Sequence, residues 1–373
     1  MKKHFIFILI IFLVSCSSTQ EVVSEQETTT TVLETPTTQV LNNTEDTSTT
    51  TTVVNIAYEF DIEKMSPLTG KELPPEVWLN RPRRLLAFKV DNNLAARPQS
   101  GLQEADAVYE LLVEGGMTRF LALFYDNSSQ FLGPIRSARP TDPNLIRHFG
   151  GTLIASGATA GLIPSINELG VPVLEENTAK GSLFRISSRK APHNLYANTE
   201  NVRQVVDDKG FYFLTPGPDP LYPFGLDQTN WSDGAQRITV KYSEFTTIIW
   251  KLDGDKYSRF IKDSYSNIKD AVAHNFITQD GNYTDILKTE TIVIIQGPLY
   301  NDKATTLPSV LTVGVGNAYI ISNGKYIEGT WRRSDIRDSF ELLDLNQNPI
   351  EVPPSSQWLH LIPNEGTVTI SNS

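Results

Sequence analysis

Cysteine occurs once in this chain, at Cys16, so no disulfide can staple the fold, and beyond that residue no thiolate can hold a metal or act as a nucleophile. Whatever the rest of the chain folds into must be held by packing alone. Hydrophobic residues make up 39% of the sequence, enough to build substantial cores.

The surroundings of Cys16 give it a role. Lys2 and Lys3 are followed by an unbroken apolar run from Phe5 to Val14, and then by Ser15-Cys16. A basic start, a short apolar stretch and small residues at a cleavage point make a secretory signal. The ending Leu13-Val14-Ser15-Cys16 resembles the lipobox, whose cysteine is acylated and becomes the mature N-terminus. Ten apolar residues are about half of the ~20 that a membrane-spanning helix needs. Residues 1–15 are therefore expected to be a signal peptide, Cys16 the acylated (palmitate-type) anchor, and the protein an exported lipoprotein on the extracytoplasmic side of a bacterial membrane.

Residues 16–56 read as a lipidated, disordered stalk. From Ser17 to Ile56 there are six acidic residues, no Lys or Arg and no aromatic side chain, too little apolar surface to offset the entropy of folding. The leader carries +2 and the stalk −6 of the chain's −11, which leaves −7 for the body. An acidic body argues against nucleic acid as a partner.

The body reads as α/β or α+β, with a mixed-sheet N-terminal domain over 57–214, a Pro- and Gly-rich linker over 215–232 and a mainly β C-terminal domain over 233–373. In the first, Leu85–Val90, Ala107–Val113 and Phe120–Tyr125 are strands. The last two form a hairpin turning at Gly115-Gly116. Asp142 and Thr199 are N-cap candidates for helices over Pro143–Phe149 and from Glu200 to Asp208. In the second, short apolar runs at 238–242, 247–252, 291–295, 318–322 and 325–330 are strands, with Asn323-Gly324 as a hairpin turn.

One block concentrates chemistry: Ala96-Arg97-Pro98-Gln99-Ser100-Gly101, Glu104 to Glu110, Glu114-Gly115-Gly116-Met117-Thr118-Arg119 and Gly133-Pro134-Ile135-Arg136-Ser137-Ala138-Arg139. Strand alternation places Asp106, Glu110 and Glu114 on one face and Tyr109, Leu111 and Val113 on the other. Arg119, Arg136 and Arg139 fall at neighbouring strand ends, where guanidinium groups suit bidentate recognition of phosphate or carboxylate. Gly115 and Gly116 would let a ligand approach the backbone. Candidate ligand-binding residues are Arg97, Glu110, Glu114, Arg119, Arg136, Ser137 and Arg139, and candidate acid–base groups are Asp91, His148 and His193. The same charges could instead pair among themselves as a structural network. The five histidines are far apart in sequence, and neither a metal site nor a cofactor is expected. Asp344-Leu345-Asn346-Gln347-Asn348 resembles half a calcium loop, but Pro349 stands where the glycine is required, so it reads as a polar turn.

Together with Pro67-Leu68-Thr69-Gly70, Ala191-Pro192-His193-Asn194 and Gly329-Thr330-Trp331, this block resembles the YerB-like family of bacterial lipoproteins, a domain-of-unknown-function family with paired N- and C-terminal domains. The resemblance implies the two-domain arrangement and no reaction. The leading reading is a stalked lipoprotein that binds an anionic or glycan-type envelope ligand through the Arg/carboxylate site. One alternative is an envelope enzyme acting on lipid-linked phosphate groups, because Thr118-Arg119 and Arg136-Ser137-Ala138-Arg139 resemble the arginine-bearing strands of LytR-CpsA-Psr phosphotransferases. Such an enzyme would need a carboxylate among Asp91, Asp106 and Glu114 free for a divalent cation. Another is a scaffold that contacts an envelope protein without a ligand pocket. The lipid reading has a direct check: a Cys16→Ala variant should incorporate no labelled fatty acid, whereas the wild type does.

Overall fold

The computed structural model describes residues 58–79, 83–211, 219–264 and 269–373; the leader, Cys16 and the stalk lie outside them. The first half of the body gives the main sheet five strands: β1 (Leu86–Val90), β2 (Ala107–Leu112), β3 (Thr118–Phe124), β4 (Thr152–Ala155) and β5 (Val173–Glu175). Nine longer strands come from the second half: β6 (Arg237–Lys241), β7 (Thr246–Asp253), β8 (Lys256–Asp263), β9 (Thr291–Gly297), β10 (Gly314–Ser322), β11 (Lys325–Arg333), β12 (Glu341–Asp344), β13 (Gln357–Pro363) and β14 (Thr367–Ser371). Three helices matter here, α1 (Asp142–Ile146), α2 (Leu162–Glu168) and α3 (Thr199–Asp208).

The main sheet runs β12-β11-β10-β9-β13-β2-β3-β1-β4-β5, with Ser232–Asp233 added at β11. It is mixed: β2, β3 and β1 are antiparallel, while β4 lies parallel to β1 and β13 parallel to both β2 and β9. The class is α+β. Strand β13 explains how the halves are joined. All seven of its residues are buried, which suits a strand enclosed on both faces and both edges. It inserts between β2 of the first half and β9 of the second, so the division expected at 215–232 does not separate two cores, and residues 56–373 form one compact unit.

Both faces of the main sheet are covered. One packs Tyr109, Leu121, Leu359 and Leu361 against Leu145 and Ile146 of α1 and Ile166 of α2. The other packs Phe88, Phe120, Ile294 and Trp358 against α3 (Val202, Val206) and a second, antiparallel sheet (Val240, Trp250, Ile261). That second sheet runs from Val272–Ala273 through β8, β7 and β6 to β14. The chain leaves β13 and returns as β14, so its last two strands belong to different sheets.

Local signals hold with small shifts. The β2–β3 hairpin pairs Leu112 with Thr118, and Asn323 and Gly324 take φ of 49° and 76°, closing β10 onto β11 with Ser322 opposite Lys325. The cap of α3 is Asn198, one residue earlier than expected; its side chain accepts from Glu200 N and Asn201 N, each at 3.1 Å. Thr199 instead bridges to the backbone of Ser129. Helix α1 starts at Asp142 and ends at Ile146, short of Phe149.

Because β13 completes the sheet from the far end of the chain, a fragment covering residues 57–210 lacks the partner of β2 and exposes a long apolar edge. Circular dichroism of that fragment should show no cooperative thermal transition, while 57–373 unfolds as one unit.

Candidate functional site

Register decides which of the candidate charges meet. Leu111 lies opposite Arg119 and Glu110 opposite Phe120 in the β2–β3 pair, and directly opposed residues share a face. Arg119 and Glu110 therefore point to opposite sides of the sheet. The expected convergence of all the charges on one site is replaced by two clusters, one on each face, joined through the adjacent residues Asp91 and Asn92.

The first cluster gathers Lys89, Asp91, Glu114, Arg119, Arg136, Arg139 and Asp142. Lys89 lies opposite Leu121 in β1, on the Arg119 face, and its buried ammonium donates to Asp142 Oδ1 at 2.6 Å. Residues 133–139 cross the ends of β1 and β4, held by Arg136 N donating to Lys89 O and Ser156 N to Arg136 O. Arg139 grips Glu114 with two parallel hydrogen bonds, Nε to Oε2 at 2.6 Å and Nη2 to Oε1. Arg119 Nη2 reaches Glu114 Oε1 at 3.4 Å, and its Nη1 and that of Arg139 both donate to the carbonyl of Ser137. Ser137 thus contributes its backbone. Arg136 differs: its Nε stands 3.1 Å from Asp91 Oδ2 but at an angle that makes no hydrogen bond, and about a fifth of its side chain is exposed. Beside it, His193 Nδ1 lies 2.7 Å from Asp91 Oδ2 and must be the donor to that carboxylate.

Burial and crowding shape these charges. Burial, reinforced by Arg119 and Arg139 and opposed by Asp142, pushes Lys89 down to about 8. Burial and the neighbouring Arg139 push Arg119 down to about 10. Burial raises Glu114, but the hydrogen bond from Arg139 and the fields of both arginines outweigh it and hold the carboxyl at about 2. Four cationic side chains face three carboxylates here. Asp91 and Glu114 are engaged by arginine. Asp106, which burial raises to about 7, accepts three backbone N–H groups from Tyr125, Asp126 and Asn127. None of the three is the free carboxylate that the cation-dependent alternative requires.

The second cluster is sealed between the sheets. Glu110 and Arg259 of β8 have no exposed surface. Arg259 Nη2 donates to both carboxylate oxygens at 2.7 and 2.8 Å, Thr118 Oγ1 donates to Oε1 at 2.7 Å and Trp358 Nε1 to Oε2 at 3.0 Å. Burial raises Glu110, but Arg259 outweighs it and the carboxyl lies below the usual range. The imidazole tautomers follow from donors that cannot accept. Trp250 Nε1 donates to His360 Nε2 at 2.8 Å, so His360 carries its proton on Nδ1, toward Tyr242 Oη at 2.8 Å. Arg259 Nη1 faces His274 Nδ1, so His274 donates from Nε2 to Gln99 Oε1 at 2.7 Å. Gln99 Nε2 then donates to the carbonyl of Asp91 at 2.8 Å. Arg97 belongs to this side: it bonds Asn92 and pairs with Asp263 at the rim of a 270 Å³ cavity. Asn92 Nδ2 donates to Thr118 Oγ1 at 2.8 Å and completes the link.

Three further expectations change. His148 meets Arg333 Nη2 at 3.4 Å and stands apart from the arginine cluster; burial drives its pKa well below the usual histidine range. Glu114 faces Arg139 and not the Glu110 side, because β2 ends at Leu112 and the turn carries it around. Gly116, with φ of 73°, is approached by protein: a Cβ there would lie 2.6 Å from Phe245, and its carbonyl accepts from Ser243 Oγ and Thr246 Oγ1. The sequence singles out none of Lys89, Arg259 and Trp358, and marks Asp142 only as a helix cap and Gln99 only as part of a motif. A lysine inside the apolar strand Leu85–Val90, and an arginine sharing the buried register of Tyr257 and Ile261, were the available signals.

An α+β body with one mixed sheet shared by its two halves and an arginine–carboxylate cluster at the strand ends defines the class. The first half matches the family model described as "Protein of unknown function (DUF3048) N-terminal domain" over residues 68–212, and the second half its C-terminal domain over residues 238–359. The chain belongs to this family. Among curated proteins it is similar to "Putative lipoprotein YerB" of Bacillus subtilis (strain 168), 26% identical over 309 residues, which span 82% of this chain and 88% of the relative. The crystal structure of YerB protein from Bacillus subtilis has the same fold, with a TM-score of 0.68 and 22% identity, covering 82% of this chain and 99% of that one.

His360 sets a pH dependence. Burial lowers it to about 4 in the folded state, against 6.5 for the unfolded chain. Between these values the unfolded state binds more protons, so this contribution is present above pH 6.5 and is lost as pH falls toward 4, on the order of 3 kcal/mol. Subtracting the stability profile of a His360→Gln variant from that of the wild type across pH 4–7 should isolate this component.

Proposed function

We propose that this protein is a membrane-anchored extracytoplasmic lipoprotein that binds an anionic envelope ligand, a phosphate-bearing group, at Arg136. The anchor reading is supported by the basic and apolar leader ending in Leu13-Val14-Ser15-Cys16 and by the lipoprotein name of the Bacillus subtilis relative. Among the described residues no helix is long and apolar enough to cross a membrane. The ligand reading rests on one observation: in a cluster with four cations and three carboxylates, Arg136 is the guanidinium left without a hydrogen bond, and it is partly open to solvent. Arg119, Arg139 and Lys89 behind it are tied down, so the site is preorganised and positive within an acidic body. Carbohydrate attached to the phosphate would extend over the surface.

A second reading, cleavage of the phosphate rather than its capture, is favoured by the contact of His193 with Asp91. That contact fixes Nδ1 as donor and leaves Nε2 to exchange a proton.

Thermal unfolding of the full body with and without pyrophosphate tests the binding reading. Wild type should melt higher with the ligand. Arg136→Gln should retain stability to within about 1 kcal/mol, since it loses one misaligned contact, and should show no ligand shift. An unshifted wild type overturns the proposal, and release of orthophosphate by wild type but not by His193→Gln favours cleavage.

A further inference from the structure

The far edge of the main sheet carries a second hollow, unrelated to the arginines. Strand β11 is paired twice along its outer edge, Lys325 and Tyr326 with Asp233 and Ser232, and Gly329–Arg332 with β12. Ile327 and Glu328 fall in the gap and, among the described residues, have no strand partner on that side. Two adjoining cavities of about 560 and 550 Å³ open there, sharing Asn230, Ile327, Asp344 and Asn348 as walls. That is the size of small-molecule sites. The gap lies five strands from β3, roughly 24 Å at the usual ~4.8 Å spacing.

The walls select a ligand class. Asp227, Glu328, Asp344 and Glu351 line the cleft, and among the described residues no Lys or Arg does, so a phosphate would be repelled. Ile327, Pro349 and Ile350 supply an apolar strip beside the amides of Asn230, Asn346 and Asn348. The frame is fixed by its own hydrogen bonds: Asp344 accepts from Asn346 N, Asn348 N and Asn348 Nδ2 at 2.8, 2.8 and 3.1 Å, and Asp227 from Thr229 N at 2.9 Å. The side chains of Asn230, Glu328 and Asn346 and the hydroxyl of Tyr326 make no hydrogen bond among the described residues, and all four line the larger cavity.

We infer that this cleft binds an uncharged oligosaccharide bearing N-acetyl groups. A sugar presents vicinal hydroxyls on its rim and apolar C–H groups on its face. The unengaged carboxylate and amides match the rim, since each takes two hydroxyls at once. The apolar strip and the Tyr326 ring match the face and the acetyl methyl. An added peptide strand needs a longer free edge than two residues. The carboxylates of Asp344 and Asp227, which a metal ion would need, are already hydrogen-bonded.

Calorimetric titration of the intact body with chitotetraose tests this, with cellotetraose and spermine as comparison probes. Chitotetraose should bind to wild type and to Arg136→Gln equally, and at least tenfold more weakly to Glu328→Gln and to Asn346→Ala. Both latter residues are exposed, so their variants should melt like the wild type. Absence of chitotetraose binding overturns the inference, as does binding unchanged in both cleft variants, or a cleft that takes spermine and not the sugar. Loss of sugar binding in Arg136→Gln would assign the sugar to the arginine site instead.

Discussion

Glu110 and Arg259 face each other across the gap between the two sheets, and each is wholly removed from solvent. Burying two charges is expensive, and their attraction compensates only when the remaining hydrogen-bonding capacity is filled. Here Thr118, Trp358 and both arginine contacts fill the carboxylate, and His274 takes the other arm of the guanidinium, which leaves only Arg259 Nε without a hydrogen bond. Removing one member of such a pair typically costs about 3–5 kcal/mol. A salt bridge of this kind tolerates no sliding of one sheet on the other. The placement of Trp250, Tyr242 and His360, which continue the same network, follows from it.

Strand β13 is the second element of that constraint. It supplies Trp358 and His360 to the network on one face and Leu359 and Leu361 to the opposite core. The N-terminal sheet is thereby finished by residues near the end of the chain. The two family regions meet in sequence at about residue 212–238, but in space they share one sheet. Pairing of β13 with β2 closes a long loop, which makes the fold dependent on non-local contacts.

Asp91 and Asn92 carry that rigidity to the arginine cluster. They are consecutive, so their side chains point to opposite faces. Asp91 meets Arg136 and His193 while Asn92 meets Thr118 and Arg97. An anion at Arg136 would rest on a floor tied directly to the buried network. The acidic cleft beside β11 lies at the other end of the sheet, and the separation lets opposite potentials coexist on one small body.

Much of the local structure was legible in the sequence, because it depends on neighbours in the chain. The β2–β3 hairpin, the Asn323-Gly324 turn and the strands of the second half follow from period-two alternation and from glycine at positive φ. The family relationship was legible in the same way, in Ala191-Pro192-His193-Asn194 and the arginine motifs. Which charges meet was not. Alternation within β2 grouped Glu110 with Glu114, yet the end of the strand at Leu112 and the register of β3 sent them to opposite faces. Arg259 lies 149 residues from Glu110, and no local pattern can report a partner at that distance. Sequence by itself determined the lipobox-like run ending at Cys16, the acidic, aromatic-free composition of residues 17–56 and the element types of the body. Tertiary structure alone decided that Arg136 is the guanidinium of its cluster left without a hydrogen bond and that the sheet edge opens at Ile327–Glu328, since both depend on what strands distant in sequence leave unpaired.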